Sequence, residues 1–597
     1  MPRAIDRFRE RLSYHDALPQ LTVLGLVSGL AAALLIVAFR WLIETPLREV
    51  FGGNVDGFES LPPWLRFGLP FTGALVLGLA LTLLAPRHRV VSVSHVLDRL
   101  HNYQGKIPGS NIIVQFLGGI VALISGQSVG REGPSIHLGA GIASQLGQYF
   151  KLPNNSLRTL VACGSAAAIA ASFNTPMAGV VFAMEVILME YTIAGFVPVI
   201  LASVLGAAIS QLVFGNDLSF VAMQARPDII SEMPFLVFAG VVFALAAALF
   251  IKVHLLCMQQ QQRPVLLRFL IIGLLTGGVA IYVPQVLGTG YDTLNQAMTE
   301  RIDVQLLLVI LLAKLLLTAV VTGLGMLGGL IGPTLMIGGC LGALLGLLGN
   351  YLVPGSSPPG FYVSLGMVAM MGAVLNAPLA ALVAILELSH SPGIIFPAML
   401  LVVVSCLGVQ VGFSYRGIFA EQLRLKGLDV FAEPGKGFLA RVGVRSVMNR
   451  SFRVSDNELD RKQAQHLVDS EVVWLVVEED TDYRLLAMAD LARYLAAQAD
   501  RSEPERDGAT LQQSEIQAGA DPETGPKIIG PVIDLSAIPA QQLDITLLDS
   551  LASLHDASRQ MRETGAAAVL VIESISFDEA RVIGVLTRDT VSSYYGM

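Results

Sequence analysis

Arg131 and Glu132 are a charged pair inside one of the most apolar stretches of the chain. They sit in the string Gly130-Arg131-Glu132-Gly133-Pro134. An uncharged echo, Gly329-Leu330-Ile331-Gly332-Pro333, follows roughly 200 residues later. The echo is longer than five residues: GREGPSIHLGAGIASQLG lies over GLIGPTLMIGGCLGALLG without a gap. A second echo keeps the same order. Asn174-Thr175-Pro176-Met177-Ala178 matches Asn376-Ala377-Pro378-Leu379-Ala380, and eleven positions after each Asn stands a glutamate, Glu185 or Glu387. Duplicated apolar units with Gly-Pro breaks in matching places are the mark of a transporter or channel with broken helices.

Proline is favoured in a helix's first turn, so each GxxGP predicts a helix that begins inside the apolar region. Such a start exposes free N–H groups and the positive end of the helix dipole. Two such ends aimed at one place attract an anion without a side-chain cation. The predicted cradle is the backbone amides around Arg131–Gly133 and Leu330–Gly332. A single GxxGP reads more simply as small-residue packing, but two at matched positions favour the anion site. A carboxylate in a membrane is costly and marks function. Glu132 can take the anion's own place and leave it when protonated, which makes it a candidate pH-dependent gate. The plainer alternative pairs Glu132 with Arg131, and Arg131 is expected to hold structure or the outer potential.

The elements that must position these residues follow from composition. The chain has 597 residues, 53% hydrophobic and 14% charged, with mean hydropathy +0.63. Soluble proteins carry about 25% charge. Charges are scarce from Leu21 to Gly412 and frequent after Leu423. The expected organisation is a short N-terminal segment 1–20, a membrane domain 21–427 and a soluble α/β tail. Apolar runs long enough to span a bilayer include Thr22–Ile43, Phe67–Ala85, Phe196–Phe214, Phe235–Leu256 and Phe269–Leu287. Val304–Leu352 is too long for one span and is expected to hold several helices. Arg3, Arg7, Arg9 and Arg11 precede the first span, which predicts a cytoplasmic N-terminus. No cleavage site follows a short apolar core, so this is not read as a signal peptide. The four cysteines have no metal or disulfide spacing and read as packing thiols.

The GREGP string, the GxxGP repeat and Phe173-Asn174-Thr175-Pro176-Met177-Ala178-Gly179 together closely resemble the CLC chloride channel and transporter family. The resemblance implies a polytopic α-helical membrane fold with an inverted repeat, a homodimer with one anion pathway per subunit, and Glu132 as the gate. It places anion-contacting backbone at Leu330 and Ile331, where Ile331 replaces the family's usual Phe. It also implies an integral membrane protein, in the inner membrane of a prokaryotic cell, with both termini cytoplasmic. The partners it implies are membrane lipid and an inorganic anion, with no nucleic acid; chloride is the default transported ion and no resident cofactor is needed.

Three positions depart from the family pattern. Val91 stands where an anion-contacting Ser is usual, with Ser92 beside it. Phe419 stands where an anion-contacting Tyr is usual, and Tyr415 one helical turn earlier is the alternative. Val186 stands where exchangers often carry a proton-delivering glutamate, with Glu185 adjacent and Glu190 a turn further on. Missing hydroxyls and a missing proton donor both loosen coupling. The expected function is therefore passive conduction gated by Glu132, with proton-coupled exchange past Glu185 as the alternative. A divalent-cation transporter would need acidic clusters in the membrane domain, and an intramembrane enzyme would need a nucleophile–base pair or metal ligands; neither stands out. Lys314 and His137 are expected to be packing residues satisfied by hydrogen bonds.

In the tail, Val472–Glu479 and Ala566–Ser574 read as buried strands, each followed by a strand–helix pattern. The expected units are 428–499 and 529–597 around a linker, 500–528. They resemble a CBS-domain pair, a common tail in this family. The candidate nucleotide residues are Asp490, Thr587 and Asp589. Each half is incomplete: Ala487 replaces a hydroxyl, and Thr590 an acid. A dimerising module without adenine nucleotide is the expected role.

Overall fold

The computed structural model describes residues 12, 18–215, 229–299, 301–352, 357–428, 439–440, 442–479, 482–501, 532–539, 543–574 and 580–594. Arg3, Arg7, Arg9 and Arg11, and all but the first two residues of the expected linker 500–528, lie outside the described residues. The chain divides into two units. One comprises 16–152 and 156–434; the other comprises 435–597 with the short pieces 1–15 and 153–155.

The first unit is helical. Its elements begin with α1 (Leu18–Val50), α2 (Pro63–Leu83), α3 (Val93–Asn102), α4 (Gly109–Ile124), α5 (Glu132–Tyr149) and α6 (Asn154–Phe173). They continue with α7 (Pro176–Phe182), α8 (Ile193–Phe214), α9 (Met233–Met258), α10 (Val265–Tyr282), α11 (Tyr291–Met298) and α12 (Val304–Gly323). The last are α13 (Ile331–Leu352), α14 (Pro359–Leu375), α15 (Pro378–Ser389), α16 (Ile395–Leu407) and α17 (Ile418–Leu425). Among the described residues, nine helices are long and apolar enough to cross a membrane. The run Val304–Leu352 splits into α12 and α13, and the break falls on the second GxxGP. Both α5 and α13 start beside their Gly-Pro pair, with Pro134 and Pro333 in the first turn.

These two helices are deeply buried, as are α6 and α14 packed against them. Packing at that depth depends on small residues at the crossings. A Cβ on Gly139 would run into the Gly164 carbonyl, and one on Gly164 into the Gly139 carbonyl. Gly338 and Gly366 repeat the arrangement between α13 and α14. Backbone thus meets backbone at matched places in the two halves, which is how membrane helices approach closely without a hydrophobic driving force.

The second unit is α/β. It has β1 (Phe452–Asp456), β2 (Glu458–Asp460), α18 (Arg461–Val468), β3 (Trp474–Glu479), β4 (Asp482–Ala487) and α19 (Met488–Arg501). After these come β5 (Val532–Asp534), β6 (Leu543–Asp549), α20 (Leu554–Thr564), β7 (Ala568–Ser574), β8 (Ala580–Thr587) and α21 (Arg588–Ser593). One sheet runs β1-β3-β4-β6-β7-β8. Within each half the first pairing is parallel and the second antiparallel, and β4 and β6 join the halves edge to edge. Chain order and packing differ here. Leu439, Val442, Val444 and Met448 enter the core of the later half. Strand β5, late in the chain, pairs with β2 of the earlier half.

The glycine crossings give a direct test. Gly338→Ala should cost about 1–3 kcal/mol, read as a lower melting temperature of the purified protein. Gly278→Ala, with open space around its Cβ position, should leave the melting temperature within a degree or so of the parent on the same principle. Equal melting temperatures for the two variants would contradict the backbone contact.

Candidate functional site

The two GxxGP loops meet. Gly130 N donates to Gly329 O at 2.7 Å, and Gly329 N donates back to Gly130 O at 2.7 Å. This antiparallel bridge holds the starts of α5 and α13 side by side. A Cβ on Gly133 would lie 2.8 Å from Gly329 Cα, so the approach requires glycine.

Glu132, 1% exposed, lies at this junction. Its Oε2 accepts from Gly332 N at 3.1 Å, in the first turn of α13, and its Oε1 accepts from the Tyr291 hydroxyl at 2.7 Å. A Cβ on Gly332 would come within 3.0 Å of both carboxylate oxygens, and one on Gly130 would collide with Oε2. The carboxylate therefore sits on a free helix-start amide, the position the sequence assigned to an anion.

Two cavities flank it. One, of about 480 Å³, is lined by Val91, Ser92, Gly133, Leu330, Ile331 and Phe419. Six of the predicted anion-contacting residues thus share one wall. Phe419 lines it and Tyr415 does not. Its rim carries Arg89, Arg263, Arg268 and Lys426. Ser92 caps α3: its hydroxyl accepts from His95 N at 3.4 Å and lies 2.8 Å from Ser94 Oγ. The other cavity, about 280 Å³, is lined by Arg40, Glu44, Asp56, Arg131 and Tyr291. Glu132 stands between Arg131 on one wall and Gly133 on the other.

Arg131 is not aimed at the anion cradle. It donates to Glu44 Oε1 at 2.6 Å, and Arg40 and Arg48 bind the same carboxylate at 2.9 and 3.1 Å. Arg131 takes the structural reading, but its partner is Glu44 rather than Glu132. Lys314 donates to Val286 O and Gly288 O, both at 2.8 Å. His137 Nε2 lies 2.9 Å from His95 Nδ1.

Glu185 and Glu387 make a reciprocal pair of caps. Glu185 accepts from Leu379 N at 3.2 Å and Ala380 N at 2.7 Å, at the start of α15. Glu387 accepts from Met177 N and Ala178 N, both at 2.8 Å, at the start of α7. Each half's carboxylate satisfies the exposed helix start of the other. An apolar crevice lined by Ile169, Phe182, Ala380 and Ala384 joins Glu132 to these helix starts. Val186 is buried.

In the tail, Thr587 caps α21 by accepting from Thr590 N, and its hydroxyl lies 2.9 Å from Thr590 Oγ1. Asp490 is bound by Arg493 in a short ion pair. Asp589 lies in the first turn of α21.

Sequence reasoning missed Tyr291 and Glu44, which hold Glu132 and Arg131. Both lie far away in the chain. The only sequence signal for Glu44 was a carboxylate directly after the first apolar run, and for Tyr291 a polar loop, Gly288-Thr289-Gly290-Tyr291-Asp292, next to apolar runs.

If the two caps are equivalent, Glu185→Gln and Glu387→Gln should each cost about 1–3 kcal/mol, visible as similar drops in melting temperature. A drop for one and none for the other would contradict the reciprocal arrangement.

The chain is similar to known proteins over its helical unit. The family model described as voltage gated chloride channel matches residues 73–410. A putative chloride channel protein ClcB-like from Ralstonia nicotianae is 31% identical, covering 64% of this chain and 91% of that protein. An H(+)/Cl(-) exchange transporter ClcA from Vibrio parahaemolyticus is 25% identical, covering 68% of this chain and 89% of that protein. Among solved structures, a slow cyanobacterial Cl-/H+ antiporter superposes with TM-score 0.61 at 19% identity, over 68% of this chain and 97% of that one. With its helix starts paired around Glu132 and its family model covering most of the helical unit, the chain belongs to the CLC family: it is an integral, multi-pass membrane protein of anion transport with an additional C-terminal α/β domain.

Proposed function

We propose that this protein is a proton-coupled anion exchanger, with chloride the default anion and Glu132 the group that anion and proton share. This corrects the expectation of passive conduction. The Vibrio relatives are named H(+)/Cl(-) exchange transporters. The expectation failed because it weighed Val91, Val186 and Phe419 as losses of coupling. Val91 and Phe419 bear on how firmly the anion is held and Val186 on how protons arrive, whereas the exchange step depends on the gate itself.

The observation that carries the reading is the seat of Glu132. A carboxylate on the Gly332 amide blocks the way between two cavities. An anion can take that seat only when the carboxylate leaves, and protonation favours its leaving. Anion and proton therefore compete for one position in alternation. Glu185 caps the start of α15, where Ala380 also lines the apolar crevice that reaches Glu132, and this proximity makes it the candidate carboxylate for bringing protons toward the gate. The central anion is held by backbone amides of Gly133, Leu330 and Ile331, with the basic rim raising its local concentration.

The same reading extends to organisation. Matched glycine crossings, the bridge between Gly130 and Gly329, and the reciprocal caps all support an inverted repeat. The basic residues at the cavity near Lys426 support a cytoplasmic face there and cytoplasmic termini. The two matched halves of the tail sheet support a CBS-like pair. Thr587 and Asp490 are already engaged, so the pair is read as an assembly module. Homodimerisation is carried over from the resemblance, and domain limits of 21–427, 428–499 and 529–597 from the charge distribution and strand pattern of the sequence.

Reconstitution in liposomes with simultaneous chloride and pH recording tests the function. An imposed chloride gradient should drive protons uphill, and Glu132→Gln should abolish proton movement and flatten the pH dependence of anion flux. Chloride flux at full rate without proton displacement would contradict exchange. A second measurement concerns the tail. Millimolar ATP should leave the melting temperature of the full-length protein unchanged, since only a ligand bound to the folded state raises it. A saturable rise would assign nucleotide binding to Thr587 and Asp490.

A further inference from the structure

Glu132 accepts one hydrogen bond from a backbone amide and one from a side chain, Tyr291. The second donor is fixed independently of the gate. Asp56 accepts from Thr289 N at 3.3 Å, Thr289 Oγ1 at 2.5 Å, Gly290 N at 3.1 Å and Tyr291 N at 3.1 Å. From the other side Lys314 binds the Gly288 carbonyl. The loop and the first residue of α11 are therefore clamped by groups that do not touch Glu132. If the carboxylate swings away, nothing in this clamp moves with it. The Tyr291 hydroxyl and the Gly332 N–H are left facing the vacated place.

We propose that the Tyr291 hydroxyl serves two successive occupants of one position: the Glu132 carboxylate when the gate is seated, and the transported anion once the carboxylate has left. The inference rests on the reading of Glu132 as the gate and assigns a specificity-determining residue to it. The charged groups around the position are already committed. Arg131 and Arg40 bind Glu44, Asp292 binds Asn54 through a short contact, and Asp56 and Lys314 hold the loop. Among the described residues the anion therefore meets two neutral donors, an O–H and an N–H, and no bare cation. Such a site suits a small monovalent anion, which can both enter and leave. Val91 and Phe419 bring no hydroxyl to the cavity they line; Tyr291 lines the other cavity and brings its hydroxyl to the seat between them.

Chloride titration of the purified full-length protein by calorimetry reads this without any proton gradient, so it stands whether or not exchange is confirmed. Glu132→Ala empties the seat and leaves both donors. Adding Tyr291→Phe removes one of them. Chloride should bind the double variant about tenfold more weakly than the single one, the scale of one hydrogen bond to a charged group. Equal affinities would overturn the proposal. If that double variant does not fold, Glu132→Gln with and without Tyr291→Phe is compared in liposomes. Half-maximal anion flux should need a several-fold higher chloride concentration when Tyr291 is Phe. An unchanged chloride dependence would equally overturn the proposal.

Discussion

Two backbone hydrogen bonds, between Gly130 and Gly329, hold the rest of the site in place. They bring together two helix starts nearly 200 residues apart in sequence. Each start carries N–H groups with no partner inside its own helix. In an apolar surrounding such groups must be satisfied. Glu132 satisfies one of them, the Gly332 amide, and a transported anion would satisfy it equally. The glycines around the bridge follow from the same constraint, since a side chain on Gly130 or Gly332 would fill the carboxylate's place.

Among the described residues, no side-chain cation binds the carboxylate at the seat. Arg131 is adjacent in sequence, yet three arginines converge on Glu44 instead. A guanidinium at the seat would hold an anion firmly and slow its exit. Backbone dipoles attract it more weakly and need not be discharged for it to leave. The reciprocal caps of Glu185 and Glu387 follow the same logic elsewhere: a buried helix start is matched with a carboxylate, and the halves of the unit are tied together by those bonds.

Much of this was legible in the sequence, because a duplicated motif states its geometry twice. The repeat of GxxGP gave the two helix starts, and the isolated Glu132 marked the carboxylate that lies at their junction. The spacing from Asn174 to Glu185 and from Asn376 to Glu387 marked equivalent carboxylates. It could not show that each reaches the opposite half. Tyr291 and Asp56 were invisible for a plain reason: their contacts depend on how loops fold back, and no periodicity records that. In the tail, strand runs were legible from their apolar stretches. The crossing of residues 439–448 into the later half was not, because short irregular segments carry no pattern. The side chains at Val91, Val186 and Phe419 were weighed too heavily as evidence for passive conduction.

The central claim is that Glu132 occupies an anion's place. Crystals of the Glu132→Ala variant grown in bromide would test it most directly through anomalous scattering. A bromide peak is predicted within hydrogen-bonding distance of Gly332 N, where the carboxylate now sits. Bromide found only in the flanking cavities, with that position empty of anion, would contradict the account.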